Sequence, residues 1–386
     1  MLDRLFLKKI IAFAFLPCLL FPACASGGRD LVKPAPLESR QSLADGDFQK
    51  TIDAFKEHLQ KNPRNKRVTA DFAKAVEEIK ATADRVLGQK DYAQAGQIYR
   101  VLLGNYADFK AFAEKLTFNK SGLEAAVRNC RISLVDDQAR QDLKAGNYAK
   151  ALAAYPIAFK EYLGDETLAA KYLQTIREVK TAGDKALAAK DFVQAGRIYR
   201  VLLGNYADFK SLAAKLTFSK SGLEAAVRNC RISLIDGQAR QYLKAGNYAK
   251  ALTAYPVAFK EYLGDPAIEA KYLQTVREVK AAGDGALTVK DFSRAGKVYA
   301  LLLRSYPAFE GLKPGPPFGR PDLVEGLSIC RDRLTQAGLA EYRKRKLARA
   351  IAIWEDILAF DPDNAEIKKA VETTRTQFKR IDKKKY

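Results

Sequence analysis

Histidine is almost absent from this chain. There is 1 in 386 residues, His58, so Ser-His-Asp or Cys-His machinery within one chain would have to be built on that side chain. No G-x-S-x-G elbow accompanies it. Cysteine is sparse and badly spaced for a metal. Cys18 and Cys24 lie in the first 25 residues, and Cys130, Cys230 and Cys330 recur once every 100. Neither C-x-x-C nor H-E-x-x-H occurs, which leaves no zinc motif. There is no G-x-x-x-x-G-K-[ST] loop and no G-x-G-x-x-G between a strand and a helix; "AGDKA" and "AGDGA" read as helical segments. After the first 25 residues no apolar run is long enough to cross a membrane. Catalytic residues, metal ligands and cofactor sites are therefore all read as none.

Carboxylates are also in short supply. Lys and Arg number 66 against 45 Asp and Glu, a formal net charge of +21. The excess is internal, because Arg177 to Val276 alone holds 16 cations and 9 carboxylates, a difference of +7. Such a surface attracts polyanions in a salt-sensitive way, or simply keeps the chain solvated. The pair Asp136 and Asp137 is not kept in its copy, which reads Asp236 then Gly237. It is read as an exposed helical pair and not as a catalytic one.

What is present begins with "MLDRLFLKKIIAFAFLPCLLFPACASGG". A charged start (Arg4, Lys8, Lys9) and an apolar stretch from Ile10 to Phe21 form an export signal over residues 1–25. Two cleavage readings stand. Ala23 and Ala25 make an A-x-A site before Ser26, and "FPAC" resembles a lipobox that would leave Cys24 acylated. The tether-like residues 26–38 favour the lipoprotein reading. The expected location is the periplasm or the periplasmic face of the outer membrane, with membrane contact only through that lipid anchor.

The dominant feature is repetition. "RVLLGNYADFK" runs from Arg100 to Lys110 and again from Arg200 to Lys210, and residues 91–190 match 191–290 at about four positions in five. A fixed long period marks stacked repeats. Within each period, apolar and small residues recur at helical spacing, as in Tyr92, Ala95, Tyr99, Leu102 and Leu103. "QKD" and "AGN" break the runs into hairpins. "SGLE" at Ser121 and Ser221 is expected to open a helix as a capping box. Pro156 and Pro256 are expected to kink a short helix. Gly96, Gly196 and Gly296 imply close approach of a neighbouring helix, and the three later cysteines read as small packed residues, too far apart to pair. The connector 107–120 is expected to fold its Phe109, Leu116 and Phe118 back onto the stack.

At these residues the chain resembles the tetratricopeptide repeat, a 34-residue helical hairpin with a small residue in its first helix, a polar turn, then Ala, an aromatic and a closing Pro. Gly338, Leu347, Ala350, Trp354 and Pro362 fit this pattern, as do Gly146, Asn147, Tyr148, Ala151 and Tyr155. The expected fold is all-α, an α-solenoid over 39–386 of about seven units near 32–75, 76–131, 132–175, 176–231, 232–275, 276–330 and 331–386. His58 then falls where the repeat places a small packed residue and reads as structural.

The resemblance implies a groove lined by first helices. Carried onto this sequence, its candidates are Arg140, Lys144, Arg177, Lys180, Asp184, Arg240, Lys244, Arg277, Lys280 and Asp284. The Asn of the family's carboxylate clamp is missing, with Asp184 and Arg140 standing at that place. The alternative is that these charges pair along and between helices. Lytic transglycosylases also use basic helical superstructures, but this chain has no stretch left for their catalytic domain. The reading is a non-catalytic envelope scaffold with protein partners. The alternative is a binder of anionic envelope polymer, peptidoglycan or acidic polysaccharide. Nucleic acid fits the charge but clashes with export.

Overall fold

The computed structural model describes residues 37–256 and 264–382. The export signal, Cys24 and the tether as far as residue 36 lie outside them. Two compact units divide the chain, Met1–Arg131 and Ile132–Tyr386. The first holds α1 (Leu37–Asp45), α2 (Phe48–Lys61), α3 (Lys66–Gly88), α4 (Tyr92–Gly104) and the start of α5 (Lys120–Lys144). The second continues with α6 (Tyr148–Ala153), α7 (Tyr155–Glu161), α8 (Glu166–Ala188), α9 (Phe192–Gly204), α10 (Lys220–Lys244) and α11 (Tyr248–Thr253). It ends with α12 (Pro266–Thr288), α13 (Phe292–Ser305), α14 (Arg320–Arg343), α15 (Leu347–Phe360) and α16 (Ala365–Asp382). Each unit is an all-α stack of helical hairpins, with no strand among the described residues. No described helix is long and apolar enough to cross a membrane.

Short polar signals set the hairpins. The Asp91, Asp191 and Asp291 carboxylates cap α4, α9 and α13, each accepting a backbone N–H three residues on at 3.0 Å. The preceding turn takes one residue into the left-handed region. It is Lys90, Lys190 or Lys290 in the "KD" turns, Gly46, Gly146 or Gly246 in the "GD" and "GN" turns, and Arg345 before α15. Both kinds close alike: the Asp91 and Asn147 N–H groups reach back to the carbonyls of Val86 and Asp142.

Two local expectations are refined. The "SGLE" segments do not cap their helices, because Asn119 and Ser219 stand two residues earlier. Their side chains accept the N–H of Gly122 and Gly222 at 2.8 and 3.1 Å, so the helices start at Lys120 and Lys220. At Pro156 the expected interruption falls one turn early: α6 stops at Ala153, Ala154 keeps helical backbone angles (φ −65°, ψ −33°), and Pro156 sits in the first turn of α7, where a missing N–H costs nothing. In the copy α11 likewise stops at Thr253, and residues 257–263 lie outside the described part.

Large and small side chains interlock between helices. A Cβ added to Gly96 or Gly196 would lie 3.3 Å from the Cβ of Cys130 or Cys230, so each glycine and cysteine meet face to face. All three of these cysteines are buried thiols. A Cβ on Gly183 would lie 2.7 Å from the Tyr199 ring. Ring pairs repeat with the period: Phe55–Phe72 at 4.9 Å, Tyr155–Tyr172 at 4.7 Å and Tyr255–Tyr272 at 5.2 Å are stacked. Each second ring receives the edge of Phe109, Phe209 or Phe309 from the connector. The connectors therefore fold inward, with Phe109 fully buried and Leu116 and Phe118 packed against the same core.

Candidate functional site

Six of the ten candidate groove residues belong to two kinds of polar network within the protein. The first hangs on Asp136, which α5 turns inward to 6% exposure. Its carboxylate accepts the Tyr155 hydroxyl at 3.0 Å, the Arg140 guanidinium at 3.0 Å and the Lys171 ammonium at 2.6 Å. Thr175, also buried, meets the same hydroxyl at 3.0 Å. The arrangement returns around Asp236 with Tyr255 at 3.0 Å, Arg240 at 3.3 Å, Lys271 at 2.6 Å and Thr275. Burial raises the carboxyl pKa of Asp136, but the bonds from Lys171, Arg140 and Tyr155 outweigh it and hold the group below the ordinary aspartate range. The same balance, led by Lys271 against burial, lowers that of Asp236. Burial pushes the Tyr155 and Tyr255 phenols well above their ordinary value; the bonds with Thr175 and Thr275 oppose it, and the charge of the carboxylate and the bond to it add to it.

The second network joins the long helix to its hairpin partner. Lys180 pairs with Asp184 at 2.6 Å, Asp184 accepts the Tyr199 hydroxyl at 2.7 Å, and Lys280, Asp284 and Tyr299 repeat this at 2.6 and 2.8 Å. The first unit carries it too, as Lys80, Asp84 and Tyr99. Lys180 also lies over the Tyr199 and Phe218 rings at 5.5 and 5.8 Å, and Lys280 over Tyr299 and Phe318. A lysine held by a carboxylate and two ring faces is committed to the fold.

Of the ten residues expected to line a groove, Arg140, Lys180, Asp184, Arg240, Lys280 and Asp284 are therefore engaged internally. Arg177 is exposed and donates to the Lys215 carbonyl at 3.0 Å. Lys144, Lys244 and Arg277 are exposed. Asp137 is separate from the buried network and accepts Gln141 at 2.9 Å. His58 is half-buried on α2 and its Nε2 atom has no hydrogen-bond partner, the setting of a packed histidine. Sequence reasoning missed Lys171, Lys271, Tyr255, Thr175 and Thr275. The signal for them was the recurring "KYLQT" at 171–175 and 271–275, whose two polar ends flank a buried tyrosine and leucine.

Among the described residues no group of three or more His, Cys, Asp and Glu could hold a metal ion. No protein-family model matches the chain, and no curated protein matches it. Among solved structures, the chain aligns with a circular tandem repeat protein of novel repeat topology at 14% identity and a TM-score of 0.18, covering 89% of this chain and 88% of that one. It also aligns with a tetratricopeptide repeat protein from Parabacteroides merdae at 13% identity and a TM-score of 0.14, covering 87% and 96%. Scores that low carry no weight for shape or function. The helical-hairpin repeat stands on the chain's own duplicated hairpins.

Proposed function

We propose that the chain is a non-catalytic, tetratricopeptide-like scaffold of the bacterial envelope that holds acidic faces of protein partners. The observation that carries this reading is the fate of the carboxylates. Asp84, Asp136, Asp184, Asp236 and Asp284 are all engaged by the protein's own tyrosines and lysines. Arg277, Lys144 and Lys244 stay at the surface. Cations left over once these carboxylates are engaged within the protein steer and select negatively charged partners. Export and acylation of Cys24 rest on the sequence of the first 25 residues.

Reversible crosslinking in intact cells, followed by purification of the tagged chain, tests the reading. The expected result is a small set of envelope proteins whose capture falls as salt rises and survives glycan digestion. Recovery of no protein above an untagged control contradicts it. Recovery that depends on undigested glycan transfers the assignment to an anionic-polymer binder. Incorporation of labelled fatty acid into the wild type, but not into Cys24→Ser, is the expected result for the anchor.

A further inference from the structure

The first unit contains a groove whose lining residues the later copies do not keep. It runs along the amino-terminal half of α3, with the α2–α3 turn at one end and the connector 111–115 as its far wall, and encloses about 940 Å³. That volume is in the range of a site for a small ligand or a few residues of peptide. Ala70, Ala73 and the buried Phe112 make an apolar floor. Arg64, Lys66, Lys74 and Lys115 stand around it, all exposed and none ion-paired with a described residue. The one carboxylate in the wall, Glu77, is occupied by the Thr117 N–H and hydroxyl at 2.5 and 2.7 Å.

The repeat supplies an internal control. One period on, Arg64, Lys66 and Lys74 are replaced by Gly164, Glu166 and Gln174, and two periods on by Gly264, Pro266 and Gln274. Ala73 becomes Leu173 and then Leu273, buried to 6% and 1% exposure. Where the copies carry a leucine into the core and shed charge, the first unit keeps a methyl group and gathers cations. Space and charge change together.

We propose that this groove docks an acidic peptide segment of a partner protein, with one large apolar side chain seated over Ala73. The inference rests on the scaffold reading and names the chemistry of its partner. Lys66 and Lys74 are eight positions apart on α3, about 12 Å along its axis. Cations spread over that length suit carboxylates separated by about four residues of extended chain, at roughly 3.3–3.6 Å each. A single lipid headgroup would need them gathered at one point. An apolar floor gains nothing from a hydroxyl-rich glycan but does from a Leu or Phe side chain.

The test is selection of random dodecapeptides on the immobilised full chain, followed by fluorescence anisotropy with the enriched peptides. Enriched sequences are expected to place two acidic residues about four apart around a Leu, Ile or Phe. Ala73→Leu, which installs the residue of both copies and leaves every charge in place, should weaken binding tenfold or more. Lys74→Gln, again the copies' residue, should weaken it three- to tenfold. Far-UV circular dichroism should show both variants folded as the wild type. Enrichment without acidic residues, equal binding by Ala73→Leu, or equal binding when the peptide's apolar residue is changed to Ala overturns the proposal. So does binding to phosphatidylglycerol vesicles or polyglutamate that matches the peptides and is blind to Ala73→Leu. If crosslinked envelope proteins are captured equally by Ala73→Leu, the scaffold reading stands and only this groove fails.

Discussion

The same stacked ring pair is built in two ways. In the first unit Phe55 lies on Phe72, with no hydroxyl on either ring and Ala75 beside them in the core. In the second, Tyr155 lies on Tyr172, and the first hydroxyl reaches the buried Asp136, which holds Lys171 and Arg140 as well. Lys171 and Thr175 stand where the first unit has Asp71 and Ala75. Stacking supplies comparable area in both, so the network is not required to bury rings. Its work is orientation: a carboxylate with three partners accepts one arrangement of α5, α7 and α8, whereas two phenylalanines tolerate several.

Breaking the network should separate the two regions most sharply. Asp136→Ala leaves Lys171 and Tyr155 without their acceptor and should cost about 3–5 kcal/mol, read as a fall in the urea midpoint. Tyr155→Phe, which imitates the first unit, should cost only about 1 kcal/mol because Lys171 and Arg140 still hold the carboxylate.

Acid sharpens the same contrast. The folded-state pKa values of Asp136 and Asp236 lie below the ordinary aspartate value. Their stabilisation is therefore fully present above the unfolded value of about 3.9 and is lost as pH falls through the lower folded value. Urea midpoints taken from pH 7 downward should hold until about pH 4 and then drop. Asp136→Asn with Asp236→Asn should start lower and fall less steeply. The smallest expected effect concerns the turns. Lys190 has a φ of 59°, where its neighbour in type, Gly146, has 74°. Lys190→Gly relieves a left-handed non-glycine residue and should raise the melting free energy by about 1 kcal/mol, while Gly146→Lys should lower it.

Much of this architecture was legible because it is local and repeated. Helical spacing located Ala95, Tyr99 and Leu102 in the core, where all three are buried. The duplicated glycines and cysteines announced a close helix contact, and Gly96 meets Cys130 there. The polar networks were not legible. Asp136 and Lys171 are 35 residues apart, and nothing local distinguishes a carboxylate facing a hairpin partner from one facing water. For that reason the charges expected to line a groove turned out to be largely committed to the fold. The capping error had a nearer cause: Asn119 and Ser219 precede the motif by two residues and cap the helix first, so Ser121 and Ser221 already lie inside its first turn. The groove over Ala73 was hidden for the opposite reason, since it is visible only as a leucine that two copies have and one lacks.

The most direct test of the claim that these carboxylates serve the fold and leave the surface cations to partners is a double-mutant cycle of Asp136→Asn with Lys171→Met. It should be read both as unfolding free energy and as recovery of crosslinked envelope proteins. The account predicts a coupling of at least about 1 kcal/mol in stability, with partner recovery unchanged in every variant that remains folded. Additive stabilities together with loss of partners from folded Asp136→Asn would contradict it.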